Sequence, residues 1–442
     1  MKDTQSNLKT IALTILQEAS RLGASQAEVI LHGSKGFSVT ARQGDVETVE
    51  YNQDKSIEIT VYLGKRCGSA SLSDTRPEAI RAAVEAAHHI ARFTDEDPYS
   101  GLAEPNELAF DCPEIDLFYP WSITVEQAIQ LACDCEAKAL AQDKRIINTE
   151  GVNIVTAEGS YVYANSLGFL GTYLATRHEI SCVLIAKQQE QMQRDYSYTV
   201  ACDSQLLDSI DIVAKQAAER TVRRLGAHRL STRKAPVIFA AEEARSLLGH
   251  FVAAIQGGNL YRKSSFLLDH LNKPVFAPHI QIHEEPLLPK GLGSAPFDSD
   301  GVRTRPNIFI KDGILHNYAL GTYSARKLNR MTTGNADGVH NLIVSTGEKT
   351  LSELLKTMHT GLLVTEMMGN GVNLVTGDYS RGVSGYWIEN GEIQYPVQEI
   401  TIAGKLQNIY GPRLVEIGTD IDTRGNIRTG SILIEEMIIA GD

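Results

Sequence analysis

Residues 27–74 read AEVILHGSKGFSVTARQGDVETVEYNQDKSIEITVYLGKRCGSASLSD. Apolar and polar side chains alternate along the stretch, and Gly and Asp punctuate it. A period of two puts the apolar residues on one face of a pleated strand, so an antiparallel meander of about four strands is predicted. The flanks have the helical period. Residues 5–22 read as an amphipathic helix, and a second is predicted over 75–93, where Thr75 and Glu78 have capping-box spacing and Pro77 falls in the tolerant first turn. The order is helix, meander, helix.

That order returns downstream. Residues 96–120, rich in Pro and acids with little periodicity, read as a connector running over the surface. A helix follows across 123–143, with Val125, Ile129, Ala132, Cys133 and Leu140 on one stripe, then strands across 146–202 and a helix across 207–224. This predicts an N-terminal α/β domain, 1–230, made of two helix–meander–helix units at about 1–95 and 121–228. The two units could share one continuous sheet. Residues 231–442 are β-rich apart from a helix over about 241–257 and a short one near 350–361. Asp312-Gly313 and Asn390-Gly391 each sit between alternating runs, the strongest short signal for two-residue hairpins. A curled sheet or partial barrel is expected here, and the whole chain is of α+β class.

Composition excludes some functions. The 442 residues carry 42 basic and 54 acidic side chains, a net charge of −12, whereas tight nucleic-acid binding needs a clustered basic surface. The basic run at 220–234 reads as a helix end followed by a solvated linker. No run approaches the ~18 apolar residues of a membrane span, and the N-terminal stretch reads as a folded helix rather than a leader. Six cysteines, at 67, 112, 133, 135, 182 and 202, contain no C-x-x-C pair and fit reduced cytoplasmic thiols.

The chemistry-bearing stretches are few. The run APVIFA (235–240) leads into AEEARSLLGHFVAAIQGG (241–258), which looks like a metal-bearing helix with one histidine, His250. Residues three or four back from it, Leu247 and Ser246, are not zinc ligands, and Glu243 is about 10 Å away along the axis at ~1.5 Å per residue. His279 and His283 lie about 13 Å apart if extended at ~3.3 Å per residue, too far to chelate together. No nucleophile elbow, Walker loop or dinucleotide fingerprint is present. The unusual segment is 377–404, where Asp378, Tyr379, Ser380 and Arg381 sit between glycines ahead of a hairpin carrying Trp387 and Tyr395. Arg381 offers a fork suited to a carboxylate, and an aromatic-lined open edge could accept an extended peptide as an added strand. The structural alternative is a turn held by an Asp378–Arg381 ion pair.

Several ordered motifs then resemble one family over nearly the whole chain: VTARQGDVETVEYN (39–52), YRKSSFLLD (261–269), PFDSDGVRT (296–304), YSARKL (323–328), GDYSRG (377–382), ENGEIQYPV (389–397) and EITIAG (399–404). The chain is similar to the TldD/PmbA family, and within it to the PmbA branch, also called TldE. The resemblance implies a cytoplasmic partner of TldD in a metal-dependent peptidase, associated with trimming of microcin precursors and antitoxin and with the label modulator of DNA gyrase. In TldD-type chains the helix carries H-E-x-x-x-H, joined by a late cysteine. The matching positions here begin with Arg245 and Ser246 and end with His250, and no cysteine follows Cys202. The resemblance thus implies no metal or catalytic residue in this chain, with zinc in a TldD-type partner, and a homodimer as a possible state when alone. A stand-alone peptide-binding modulator is the alternative. A peptidase site of another kind would draw first on His250, Glu243, His279 and His283.

Overall fold

The computed structural model describes residues 1–441. The first unit consists of α1 (Lys2–Arg21), β1 (Gln26–Arg42), β2 (Asp45–Leu63), β3 (Arg66–Leu72) and α2 (Pro77–Phe93). The second consists of α3 (Val125–Leu140), β4 (Ile146–Asn165), β5 (Leu170–Gln188), β6 (Gln191–Ala201) and α4 (Ile210–Arg223). Their strands form one antiparallel sheet in the order β3-β2-β1-β4-β5-β6, so the two units meet at β1 and β4. The meander has three strands rather than about four, two long and one short. Gly33 and Gly36, read as punctuation, lie inside β1, and a Cβ at Gly36 would stand 2.0 Å from the Thr156 carbonyl of β4. The real turn is at Gln43 and Gly44, with φ of 58° and 79°.

All four helices cover one face of this sheet. Leu8, Ile15, Ile80 and Val84 pack on Val29, Leu31, Ile57 and Ile59; Ala132, Cys135, Val213 and Ala217 pack on Val39, Ile154 and Cys182. The opposite face of β1, at Glu28, Ile30, His32 and Ser34, is turned toward the C-terminal domain. The Thr75–Glu78 capping box does not form. Arg76 is the N-cap of α2 and its side chain makes no capping bond, because the helix begins at Pro77; the boxes occur instead at Thr124–Gln127 and Thr350–Glu353.

The connector also departs from expectation. Residues 96–120 run between the domains, burying Leu102, Ala103, Leu108, Ala109 and Leu117, and the middle of the segment packs with Tyr163, Phe169, Phe297 and Val302. Its backbone is satisfied without regular structure: Ala109 N–H donates to the Gly301 carbonyl, and Arg326 donates to the carbonyls of Tyr99, Gly101 and Leu102.

The C-terminal domain opens with β7 (Arg233–Phe239), α5 (Ala241–Ile255) and α6 (Gly257–Tyr261), followed by β8 (Ile282–Glu284), β9 (Asn307–Lys311), β10 (Ile314–Leu315), α7 (Thr322–Lys327) and β11 (Leu342–Val344). It continues with α8 (Leu351–Met358), β12 (Gly361–Met368), β13 (Val372–Asn373), β14 (Asp378–Glu389), β15 (Glu392–Lys405), α9 (Leu406–Tyr410), β16 (Leu414–Ile417), β17 (Ile427–Arg428) and β18 (Ile432–Ala440). The sheet β12-β7-β18-β15-β14 is completed by pairing of β14 with β12, so the expected curled sheet closes into a five-stranded barrel. A second sheet, β10-β9-β8-β11-β17, lies beside it. Both predicted hairpins are present, with positive φ at Asp312, Gly313, Asn390 and Gly391. No helix among the described residues is long and apolar enough to cross a membrane.

Candidate functional site

Helix α5 leaves β7 with Glu242 and Glu243 in its first turn, and these acids sit at the meeting point of the two domains. Arg220 of α4 donates to Glu242 at 2.8 Å and lies 3.4 Å from Asp195 of β6. Arg224, the C-cap residue of α4, joins Asp195 at 3.5 Å to Glu366 of β12 at 2.5 Å. Arg245, at the first of the metal-helix positions, donates to the Tyr198 hydroxyl at 3.0 Å and lies 3.4 Å from Asp422. Arg424 lies 3.0 Å from Asp422 and 3.3 Å from Glu242, with its guanidinium 4.4 Å from the Tyr198 ring centre. The ion pairs bind sheet, helix and barrel together.

One turn further along α5, His250 faces the barrel wall. Its ring centre is 6.0 Å from that of Tyr379, and its Nε2 is buried without a hydrogen-bond partner. Burial, then the positive charge of Arg381, holds the imidazole below its usual pKa. Arg381 is 8% exposed and donates from Nε to the Met368 carbonyl at 3.2 Å. Burial, reinforced by Glu242, pushes Glu243 up to about 7. These residues do not fit a zinc ion. The position matching the first family histidine is a permanently charged guanidinium already paired with Asp422, and Arg381 places a second cation near His250. Among the described residues no three His, Cys, Asp or Glu side chains converge on a metal position.

The other sequence candidates are scattered. Asp378 is exposed and pairs with Lys405 at 2.6 Å, not with Arg381. Tyr379 is buried, its hydroxyl 3.2 Å from the Met367 sulfur, while Ser380 is exposed. Trp387 is buried opposite Tyr395 and under the Arg233 guanidinium at 5.0 Å. The edge expected here for an added strand is absent, because β14 pairs with β12 on one side and β15 on the other. His279 is exposed in a turn, and His283 lies 3.7 Å from Glu285.

The bare face of the N-terminal sheet supplies what the sequence did not mark. A cleft of about 800 Å³ separates it from the C-terminal loops; Arg245 and Arg424 stand at its wall. On the sheet side Tyr161 and Tyr173 stack 4.5 Å apart and nearly parallel, at 8°, with the His32 ring 4.6 Å from Tyr161. Facing them are Gly291, Leu292 and Gly293, Asp337 and His340. Aromatic faces opposite glycine-rich backbone suit an extended chain. The signal was present as the polar half of the β1 alternation, His32 and Ser34, which reads equally well as a solvent face.

A six-stranded sheet backed by four helices and a closed five-stranded barrel, joined by the charged cluster beside α5, define a protein of α+β class. Comparison with known families makes the assignment specific: the PmbA/TldA metallopeptidase domain 1 matches residues 27–91, the central domain 118–225 and the C-terminal domain 232–441. The chain belongs to the PmbA/TldE branch of the TldD/PmbA family. It is 48% identical over 439 residues, 99% of its length and 97% of the relative's, to Metalloprotease PmbA of Escherichia coli O157:H7. A Bacteroides thetaiotaomicron protein proposed as a modulator of DNA gyrase matches at a TM-score of 0.92 with 26% identity, covering 98% of this chain and 99% of that one. TldE from Thermococcus kodakarensis has the same fold, with a TM-score of 0.80 at 17% identity over 98% and 100% of the chains.

Proposed function

We propose that this chain is the metal-free subunit of a cytoplasmic metallopeptidase, acting on peptides together with a TldD-type subunit that holds zinc. The observation that carries the reading is the state of Arg245: at the position where the metal-bearing pattern requires histidine, a guanidinium is bonded to Tyr198 and paired with Asp422. Removing it for a ligand would leave that carboxylate in a buried network without one of its two cations. In this reading the cleft between the tyrosine stack and the C-terminal loops guides the peptide, and hydrolysis occurs in the partner.

The test is elemental analysis of zinc on protein purified without a chelating tag, followed by peptide hydrolysis by the chain alone, by a TldD-type subunit alone and by the mixture. Less than a tenth of a zinc per chain, no activity alone and at least tenfold gain on mixing are expected. One zinc per chain, or full activity in isolation, would overturn the reading. Peptide binding with no added cleavage in the mixture would favour the stand-alone modulator instead.

A further inference from the structure

Ser246, Gly249, His250 and Ala253 recur at helical spacing and share one stripe of α5. None of the four is sealed in the core as Leu247, Leu248, Phe251 and Ala254 are. The stripe borders free space, since a Cβ built on Gly249 would meet no packed atom within 4 Å. The wall beside it is β14, where Tyr379 and Arg381 are two residues apart and point to the same side. The edge-to-face contact of His250 with Tyr379 sets that side against the stripe.

The polar groups gathered there are short of partners. Arg381 is 8% exposed, and its side chain makes one hydrogen bond, from Nε to the Met368 carbonyl, so both terminal nitrogens of the fork are unused. Among the described residues no carboxylate lies within ion-pair distance of it: Asp378 pairs with Lys405, and Glu366 with Arg224. Glu243, two turns before His250 on α5, acts on it only from a distance, and burial holds that carboxyl up at about 7. The His250 Nε2 is buried with no partner, and the Tyr379 hydroxyl meets only the Met367 thioether, a weak acceptor.

The contrast with the junction is sharp. Arg220, Arg224, Arg245 and Arg424 each have a carboxylate within 3.5 Å, whereas Arg381, more deeply buried, has none. A guanidinium removed from water without a counter-charge is costly, and a ligand that supplies the charge relieves that cost on binding. The sign of Arg381 excludes a cation here. A carboxylate is planar, its two oxygens match the two free nitrogens of the fork, and a remaining lone pair can accept from an imidazole N–H.

We propose that Arg381 and His250 form a binding site for a carboxylate group of a peptide, which enters along the α5 stripe past Gly249. Arg381 takes the two oxygens through its terminal nitrogens, and His250, as the Nε2–H tautomer, donates to one of them. The site lies on the barrel, apart from the cleft beside the tyrosine stack. That the carboxylate belongs to a peptide rests on the proposed function, and the group is either a carboxyl terminus or an acidic side chain.

The test is calorimetric titration of the full chain with four probes: N-acetyl-triglycine, whose terminal carboxylate is free; N-acetyl-aspartic acid amide, whose carboxylate is in the side chain; N-acetyl-triglycine amide, which has none; and sodium acetate. At least one peptide carboxylate is expected to bind tenfold or more tightly than both the amide and acetate, and the better one identifies the source. R381K keeps the charge but loses the fork, and G249L fills the free space without removing either donor; each should weaken that probe tenfold or more. R21Q on the surface of α1 leaves it unchanged. H250F, which keeps a ring against Tyr379, supplies the same test should R381K fail to fold. Equal binding of the carboxylate and amide probes overturns the proposal, as does a preference that survives R381K and G249L. Acetate bound as tightly as both peptide carboxylates marks an adventitious anion only and overturns the assignment to a peptide.

Discussion

Beside α5, Arg220, Arg224, Arg245 and Arg424 meet Asp195, Glu242 and Asp422 across the domain boundary, each guanidinium within 3.5 Å of a carboxylate. Beside α7, Glu28 and Asp300 border a cavity across the same boundary, and the neighbouring cations are bonded to other groups. Both regions bury charge between the same two domains. In the first, charge is matched within the chain once the Arg224–Glu366 pair is counted, so the junction is a structural weld; in the second, Glu28 is held by two phenols alone, those of Tyr62 and Tyr163, while Lys327, which lines the same cavity, pairs with Asp97. Matched charge gives stability at most, while unmatched charge carries a cost that a ligand can offset. The helix that most resembles a catalytic element therefore carries the matched charge, and the less evenly matched charge lies around Glu28 and Asp300.

The comparison breaks most visibly at Asp422. Its side chain is 3% exposed and contacts both Arg245 and Arg424. D422A strands two guanidinium groups at the junction, and a loss of about 3–5 kcal/mol is expected for removing one partner of a buried pair. Urea unfolding followed by fluorescence of Trp121 and Trp387, one in each domain, should show a lowered midpoint together with separation of the two domains' transitions. A loss below about 1 kcal/mol, in the range of exposed pairs, would mean that the network is solvated and not a weld.

How far the sequence reveals this arrangement depends on the kind of signal. Period-two alternation and the Asp-Gly and Asn-Gly turns locate the strands and both hairpins, because those are local effects of backbone and side-chain direction. The repeated helix–meander–helix order makes the shared sheet legible. Barrel closure is not, since the parallel pairing of Leu362 with Val237 joins segments far apart in the chain. The connector was misread for a related reason: Leu102, Leu108 and Leu117 are buried in irregular backbone and leave no period to detect. His250 was legible as a lone, partly buried histidine. Glu28 and Asp300 were not legible as a pair, because one lies in an alternating strand and the other in a loop, 272 residues later, inside a motif whose chemistry the sequence does not state.

A smaller effect sharpens the Glu28 side of the comparison. Glu28 has its pKa raised from 4.5 to about 7, so below pH 4.5 both folded and unfolded chains hold the proton. Between those values the unfolded chain ionises first, and stability falls as pH rises; above 7 the full cost is present. E28Q removes that cost and should stabilise the chain at pH 8 by about 1 to 3 kcal/mol relative to its effect at pH 4.5. Thermal melts of the two proteins at both pH values measure the difference. A variant destabilised equally at both would show that the two phenol hydrogen bonds outweigh desolvation.

The smallest effect is expected at Asp378, where a glycine-flanked cluster first suggested a site. Its carboxylate is exposed and paired with Lys405, whose hydrogen bond and charge hold the pKa below the usual value. A depressed carboxylate contributes only above its unfolded pKa, here 3.8, and loses that contribution as pH falls through the folded value. Any effect of D378N should therefore be confined to pH above about 4, and solvent screening of an exposed pair keeps it near the scatter of replicate melts. Loss of peptide processing by D378N in the mixed complex, with its melt unaltered, would give the 377–382 turn a contact with substrate or partner and add a third region to the comparison.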